Sequence, residues 1–179
     1  GSVDIYVEPH PAPYTLLILC CGHVGRALAP LGKWLGFRVV AWDDRPELAT
    51  PEIMPDADVL LTGMPEELFA AHSIDQRTYM AFVTRNVGVD RRLLPLVLDS
   101  PAAYIGAMGS RRRWEETKRL LVEDGIPREK LDRVTSPIGL ELNAESPNEI
   151  AVSIMAQIIM IQRGGNGRSM ALPQRQIDM

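Results

Sequence analysis

The sequence predicts an α/β protein in which a mostly parallel sheet lies between two layers of helices. Short apolar segments alternate with segments of helical spacing along most of the 179 residues. Strands that are apolar on both faces and alternate with helices are typical of parallel sheets covered on both sides. The length favours a single domain with one full hydrophobic core. We predict this domain over residues 15–163, between a proline-rich lead-in over residues 1–14 and a flexible polar tail over residues 164–179.

A change of hydrophobic period predicts the first strand and helix. Residues 15–19 form a short apolar run, which is typical of a buried strand, and helical spacing begins at His23. Gly36 is a plausible end for this helix, and Pro30 inside it predicts a kink or a weakened first turn. A second strand follows over residues 37–42 and leads into Asp43.

The rest of the chain continues this alternation. Further strands are predicted over residues 58–62, 80–84 and 102–105, and helices over residues 65–71, 90–98 and 111–123. A last helix begins at Ser146, with Pro147 at its first position and Glu149 able to complete a capping box. Residues 150–161 are apolar nearly all round, so this helix should be buried against the sheet and against a missing domain or a second copy of the chain. The latter arrangement would make a homodimer.

Charge and cysteine content narrow the classes of function. The net charge of −4 gives no diffuse basic field for nucleic acid, so any anion must be bound by a local cluster. The only two cysteines, Cys20 and Cys21, are adjacent in the sequence, and adjacent cysteines rarely reach disulfide geometry. The cysteine content therefore gives no sign of an oxidising compartment. We find neither a signal peptide nor an apolar stretch long enough for a bilayer. These observations predict a cytoplasmic protein with no membrane or nucleic-acid partner.

The turn after the first strand carries a phosphate-binding pattern. Residues 20–25, CCGHVG, match G-x-G-x-x-G except that Cys20 replaces the first glycine. Gly22 would let the backbone approach a pyrophosphate, and Gly25 would let the helix pack closely on the strand. Asp43 lies 18 positions after Gly25, where an acidic side chain can bind ribose hydroxyls. The pattern predicts a Rossmann-like domain that binds a dinucleotide, or a scaffold of this kind that has lost its ligand.

A second cluster, residues 106–113, precedes the charged helix. Ser110 can cap this helix and place three arginines in its first turn, where cations oppose the helix dipole. A bound anion would compensate for them, so we expect glutamine at residues 111–113 to stabilise the ligand-free domain. Local pairing with Glu115 and Glu116 is the alternative.

Single residues elsewhere allow two interpretations, and no catalytic motif stands out. His23 either contacts a ligand or only faces solvent, and the cysteines are either redox-active or small buried apolar residues. The sequence shows no nucleophile elbow, Walker A motif, paired carboxylates or zinc-ligand spacing, and no metal site is predicted. A binding protein is therefore favoured over an enzyme. An NAD(P)-dependent oxidoreductase and a nucleotide-sensing regulatory domain remain as alternatives.

Five segments together resemble the C-terminal, Rossmann-like domain of the XdhC/CoxI family of molybdenum-hydroxylase accessory proteins. They occur in the family's order over about residues 15–163. The segments are CGHVG at 21–25, DDRPE at 43–47, YIGAMGSR at 104–111, PIGL at 137–140 and SPNEIAVSI at 146–154. The chain departs from the family at Cys20, a glycine in relatives, and at residues 84–86, where TRN replaces a Thr-His pair. The family's N-terminal domain is absent, so we expect a piece of a longer protein.

The resemblance implies a chaperone for the molybdenum cofactor, either molybdopterin or its dinucleotide. Such a chaperone protects the cofactor during sulfuration and delivers it to a xanthine-dehydrogenase-like molybdenum hydroxylase, with a cysteine desulfurase as a further partner. Gly22, Gly25 and the helix start would hold phosphate, Asp43 would meet the nucleotide ribose, and Ser110 and Arg111 would close over the anion. The implied cofactor-binding residues are Cys21, Gly22, His23, Val24, Gly25, Asp43, Arg45, Gly109, Ser110 and Arg111.

Overall fold

A computed structural model of the chain describes residues 3, 6 and 12–171, apart from the side chains of Ala70 and Ala71. Most of the lead-in predicted over residues 1–14 lies outside the described residues. The predicted tail has no helix or strand over residues 164–171, and its remainder also lies outside the described residues.

Six parallel strands form one sheet, which confirms the predicted Rossmann-like α/β class. The strand order is β3-β2-β1-β4-β5-β6, so β1 lies in the middle and the chain runs outward from it in both directions. Leu19, the last residue of β1, is paired with Trp42 of β2 and Phe82 of β4. The loops that follow these three strands therefore meet at one edge of the sheet. The strands are β1 (Thr15–Leu19), β2 (Arg38–Asp43), β3 (Val59–Thr62), β4 (Thr78–Phe82), β5 (Tyr104–Ala107) and β6 (Val134–Thr135).

Helices cover both faces of this sheet, as the apolar strands predict. Leu16 and Ile18 of β1 pack in one core with α1 and α6, while Leu17 and Leu19 pack in another with α2, α3, α4 and α5. This alternation follows the two-residue period of a strand. The helices are α1 (His23–Trp34), α2 (Pro65–Ala71), α3 (Val87–Val97), α4 (Arg111–Glu123), α5 (Arg128–Leu131) and α6 (Pro147–Arg163). No helix in the described part of the chain combines the length and hydropathy needed to span a bilayer.

Several boundaries differ from those predicted, for local physical reasons. β4 covers residues 78–82 instead of 80–84, because it pairs residue by residue with β1 from Thr15 to Leu19. α3 begins three residues earlier than predicted, because the Asn86 side chain caps it by accepting a bond from the Val89 N–H. α1 continues uninterrupted through Pro30. α5 has four residues and β6 has two, and neither was predicted because segments this short show no hydrophobic period.

α6 is anchored through a polar side chain inside its buried face. Gln157 Oε1 accepts a bond of 2.8 Å from the Gly139 N–H and one of 2.5 Å from the Tyr104 hydroxyl. Ala151, Ile154 and Ile158 are buried in the core shared with α1, whereas Val152 and Ile159 on the same helix are exposed. The sheet covers one side of α6, as predicted, together with α1, which was not predicted, and the outer side of α6 carries exposed apolar residues.

Candidate functional site

A cleft of about 350 Å³ lies where the chain leaves the carboxyl ends of β1, β2, β4 and β5. In parallel α/β sheets, ligands bind where the chain runs outward in opposite directions from neighbouring strands. β1 and β4 are such a pair in this fold. The residues that line the cleft are Cys21, Gly22, His23, Val24, Arg26, Arg45, Leu48, Val83, Thr84, Arg85 and Met108.

The glycine turn after β1 leaves the start of α1 open towards this cleft. Gly22 is the N-cap residue of α1 in an extended conformation, and a Cβ built there meets no atom within 4 Å. A Cβ on Gly25, in contrast, would collide with the carbonyl oxygen of Cys20, so the helix approaches the turn as closely as predicted. No side chain caps α1, and its first turn contains no acidic residue. Its first N–H groups and the positive end of its dipole are therefore available to an anion.

Cys20 takes the place of a glycine in conformation as well as in sequence. Its φ is +89°, a left-handed value that favours glycine, and its side chain is packed in the core at 1% exposure. The thiol is not part of the cleft wall. Burial raises the pKa of Cys20, and likewise that of Cys21, to about 12, so both thiols are neutral near pH 7. The described residues include no group of three side chains placed to hold a metal ion.

Asp43 is fully buried, and its carboxylate already accepts hydrogen bonds from donors within the protein. Its carboxylate accepts a 2.8 Å bond from the Cys21 N–H, which ties the glycine turn to the end of β2. The remaining bonds come from Arg45, whose backbone N–H, Nε and Nη2 donate over 3.0, 2.9 and 3.0 Å. A ribose would have to displace this guanidinium. The structure places Asp43 behind the cleft wall and Arg45 within it, and contact of either with a ligand stays a prediction.

The next residue, Asp44, forms a fork-shaped pair with Arg85. The two Nη atoms of Arg85 donate to the two carboxylate oxygens of Asp44, both over 2.8 Å. These hydrogen bonds from Arg85 hold the pKa of Asp44 down at about 2, so the pair is charged near neutral pH. Asp44 follows β2 and Arg85 follows β4, so the pair crosses the end of β1, which lies between those strands.

The second predicted cluster is placed differently from the expectation. Met108 lines the cleft, but Gly109, Ser110 and Arg111 do not. Ser110 caps α4 by accepting a bond from the Arg113 N–H, and the side chain of Arg111 is exposed. These three residues are therefore not part of the cleft wall, and their contact with a ligand stays a prediction.

Arg113 points into the protein and forms a buried polar network. Its Nη2 donates to Thr84 Oγ1 over 2.7 Å and to Asp90 over 2.5 Å, and its Nη1 donates to the Thr84 carbonyl. Asp90 is only 3% exposed, and this burial raises its pKa against the lowering effect of Thr84 and Arg113. The reason for expecting glutamine at residues 111–113 to stabilise the domain therefore does not apply to Arg113, whose guanidinium has partners inside the protein. The alternative pairing is not seen for Glu115, which contacts Lys118.

Sequence reasoning missed two arginines of the cleft. Arg26 lies in the first helical turn, four residues after Gly22, and in the described part of the chain no carboxylate lies within 4 Å of it. Arg85 directly follows the segment predicted as the fourth strand, and strand ends of a parallel sheet meet at one edge. With Arg45 and His23, these side chains give the wall several nitrogen donors, and none of the described carboxylates lies in it.

Comparisons with known proteins identify the family of this chain. The family profile described as the XdhC Rossmann domain matches residues 16–158. The chain is 31% identical over 177 residues to the uncharacterised protein YqeB of Escherichia coli K12, covering 97% of this chain and 32% of that protein. It is 32% identical over 157 residues to a protein of Bacillus subtilis 168 described as a probable subunit of xanthine dehydrogenase, covering 88% of this chain and 44% of that one.

A solved structure extends the likeness to the fold. A crystal structure described as a xanthine dehydrogenase from Bacillus halodurans superposes with a TM-score of 0.74 at 30% identity, over 85% of this chain and 45% of that one. The chain thus spans less than half the length of each of these relatives. Since the family profile matches most of the residues, including the glycine turn, the chain belongs to the XdhC family and carries its Rossmann domain.

Proposed function

We propose that this domain binds the molybdenum cofactor by its phosphate groups and acts as an accessory protein for a xanthine-dehydrogenase-like molybdenum hydroxylase. Family membership and the names of the relatives support the xanthine dehydrogenase context. The cofactor supplies the redox chemistry of the hydroxylase that receives it, and this domain holds and protects it. The hydroxylase apoenzyme and a cysteine desulfurase are the proposed partners, in the cytoplasm.

One observation carries the proposal: the uncapped start of α1 and three guanidinium groups face the same cleft, and no carboxylate of the described residues lines it. Backbone N–H groups at a helix start favour an anion, and guanidinium groups bind phosphate oxygens through paired hydrogen bonds. Arg45 and Arg85 are paired with Asp43 and Asp44, whereas Arg26 forms no ion pair within the described residues and the helix start has no side-chain cap.

The residues present fit the phosphate end of a pterin cofactor. Gly22 leaves space beside the backbone, so a phosphate could approach the N–H groups of His23 and Val24. The Cys21 N–H donates to Asp43 and is already used. The cleft volume of about 350 Å³ lies towards the lower end of the range for small-molecule sites, roughly 300–1,000 Å³. The phosphate groups with part of a pterin would fill this volume.

The proposal is tested by identifying the ligand that the protein retains. The full chain is purified without denaturation from cells that make the cofactor, and released ligands are identified by mass spectrometry and by the fluorescence of the oxidised pterin. We expect a phosphorylated pterin from the wild type and at least tenfold less from Gly22→Val and from Arg26→Gln. Arg119→Gln serves as the matched control, because Arg119 is exposed on α4 and pairs with Glu123, away from the cleft.

Two results would contradict the proposal. One is the recovery of a nicotinamide dinucleotide together with hydride-transfer activity, which would indicate an oxidoreductase. The other is a wild-type protein that is folded, is made in cofactor-producing cells and retains no pterin.

A further inference from the structure

The pair formed by Asp44 and Arg85, here called the Asp44–Arg85 bridge, adjoins the cleft. Arg85 is part of the cleft wall, whereas Asp44 is not. The two side chains come from the loops after β2 and β4, and Cys20, the first residue after β1, lies between those loops. The charges of both members act on the Cys20 thiol, as do those of Asp43 and Arg45. The bridge therefore passes close to the turn that is open to an anion.

The bridge already shows the geometry in which a guanidinium binds an oxyanion. Two parallel N–H···O bonds of 2.8 Å join Arg85 to Asp44, and a phosphate accepts such a fork in the same way. We propose that Asp44 is an internal competitor for Arg85, and that a phosphate-bearing ligand replaces the Asp44 carboxylate on this guanidinium. The inference deepens the proposed function and rests on it, because it assumes that the cleft binds phosphate groups.

Comparison with the neighbouring Asp43–Arg45 pair shows why we propose the exchange for Arg85 and not for Arg45. Asp43 is fully buried and also accepts bonds from two backbone N–H groups, so the loss of Arg45 would leave a carboxylate in the core. Among the described residues Asp44 accepts hydrogen bonds from Arg85 alone, its other cationic contact is Arg45 Nε at 3.9 Å, and its side chain is 19% exposed. Arg85 is itself 38% exposed. Asp44 can thus return to water when a ligand takes Arg85, and Asp43 cannot.

A purely structural role for the bridge makes a different prediction. If Asp44 served only to tie the two loops together, its removal would loosen the cleft and would weaken or leave unchanged the binding of an anion. If Asp44 competes with the ligand, its removal frees a guanidinium and strengthens binding. The two roles therefore predict opposite changes in affinity for the same substitution.

The experiment measures binding of inorganic pyrophosphate to the full chain by calorimetry. We expect Asp44→Asn to raise the affinity about tenfold, since a charged competitor becomes a neutral one. Arg85→Gln should lower it about tenfold, and adding Asp44→Asn to Arg85→Gln should have no effect, because Asp44 acts through Arg85. Asp124→Asn is the control: it removes the carboxylate of another exposed ion pair, that with Arg91, and should leave the affinity unchanged.

The inference is overturned if the affinity of folded Asp44→Asn is equal to or below that of the wild type, or if neither protein binds pyrophosphate. An effect of Asp44→Asn that persists beside Arg85→Gln also overturns it. Should Asp44→Asn fold poorly, Asp44→Ser makes the same test. Tighter pyrophosphate binding by Asp44→Asn without pterin in the wild type would support the bridge and contradict the proposed cofactor. Recovery of pterin from the wild type, with no effect of Asp44→Asn on pyrophosphate affinity, would support the proposed cofactor and contradict the role of the bridge.

Discussion

The helix starts of α1 and α4 carry similar sequence signals and behave differently. Each follows a parallel strand and a glycine-containing turn, and each has arginine in its first turn. At α1, Gly22 provides no side-chain cap and the first turn faces a cleft. At α4, Ser110 caps the helix and Arg113 turns inward onto Thr84 and Asp90.

The difference shows that an arginine at a helix start does not by itself indicate a bound anion. A cation there costs about 0.3–1 kcal/mol through the helix dipole. Leaving a buried carboxylate without its partner costs about 3–5 kcal/mol. At α4 the second effect is larger, and it explains the position of Arg113 without any ligand. At α1 no side chain of the described residues caps the helix start, so its first N–H groups are open to water or to an external anion.

The largest expected effect tests the internal role of Arg113. Arg113→Met leaves Asp90 buried without its guanidinium, and we expect a loss of about 3 kcal/mol in the free energy of unfolding. Urea denaturation at pH 7 measures this loss. Arg111→Met is the matched control, because that side chain is exposed and should change stability by less than about 0.5 kcal/mol. Equal losses in the two variants would show that the two arginines do not differ in this way.

The second prediction gives α1 the kind of cap that α4 has. Gly22→Asp places a carboxylate at an extended N-cap position, where it can accept bonds from the first turn. We expect a gain in stability of a few tenths of a kcal/mol and at least a tenfold loss of pyrophosphate affinity, measured by calorimetry. Gly22→Asn offers a similar cap without the charge, so it should lose less affinity. Unchanged affinity in Gly22→Asp would exclude the start of α1 from the site.

The same contrast explains how much the sequence could predict. Continuous apolar runs identified β1 and β2, and the capping pattern located the start of α6. The inward position of Arg113 could also have been inferred, because helical spacing puts it on the same face as the buried Thr117. The Asp44–Arg85 bridge could not: a Rossmann-like sheet places β2 and β4 beside β1, but the pairing depends on how two side chains on separate loops are oriented, which no local pattern encodes.

A third prediction concerns the strained residue behind the open turn. Cys20 has a φ of +89°, a left-handed conformation that costs a residue with a Cβ about 1–2 kcal/mol. Cys20→Ala and Cys20→Gly remove the same buried sulfur, but only the glycine variant relieves the strain. We expect Cys20→Gly to be more stable than Cys20→Ala by about 1 kcal/mol in urea denaturation. If the alanine variant is as stable, the turn does not require a glycine-like residue.

The smallest effect is expected at the cap of α4. Ser110→Ala removes the side-chain oxygen that accepts the Arg113 N–H, and such a loss typically costs about 0.5–1 kcal/mol of stability. Pyrophosphate affinity should not change, because Ser110 does not line the cleft. A fall in affinity without a fall in stability would instead indicate that the second cluster is part of the binding site. It would then show that a capped helix start can contribute to ligand binding alongside an open one.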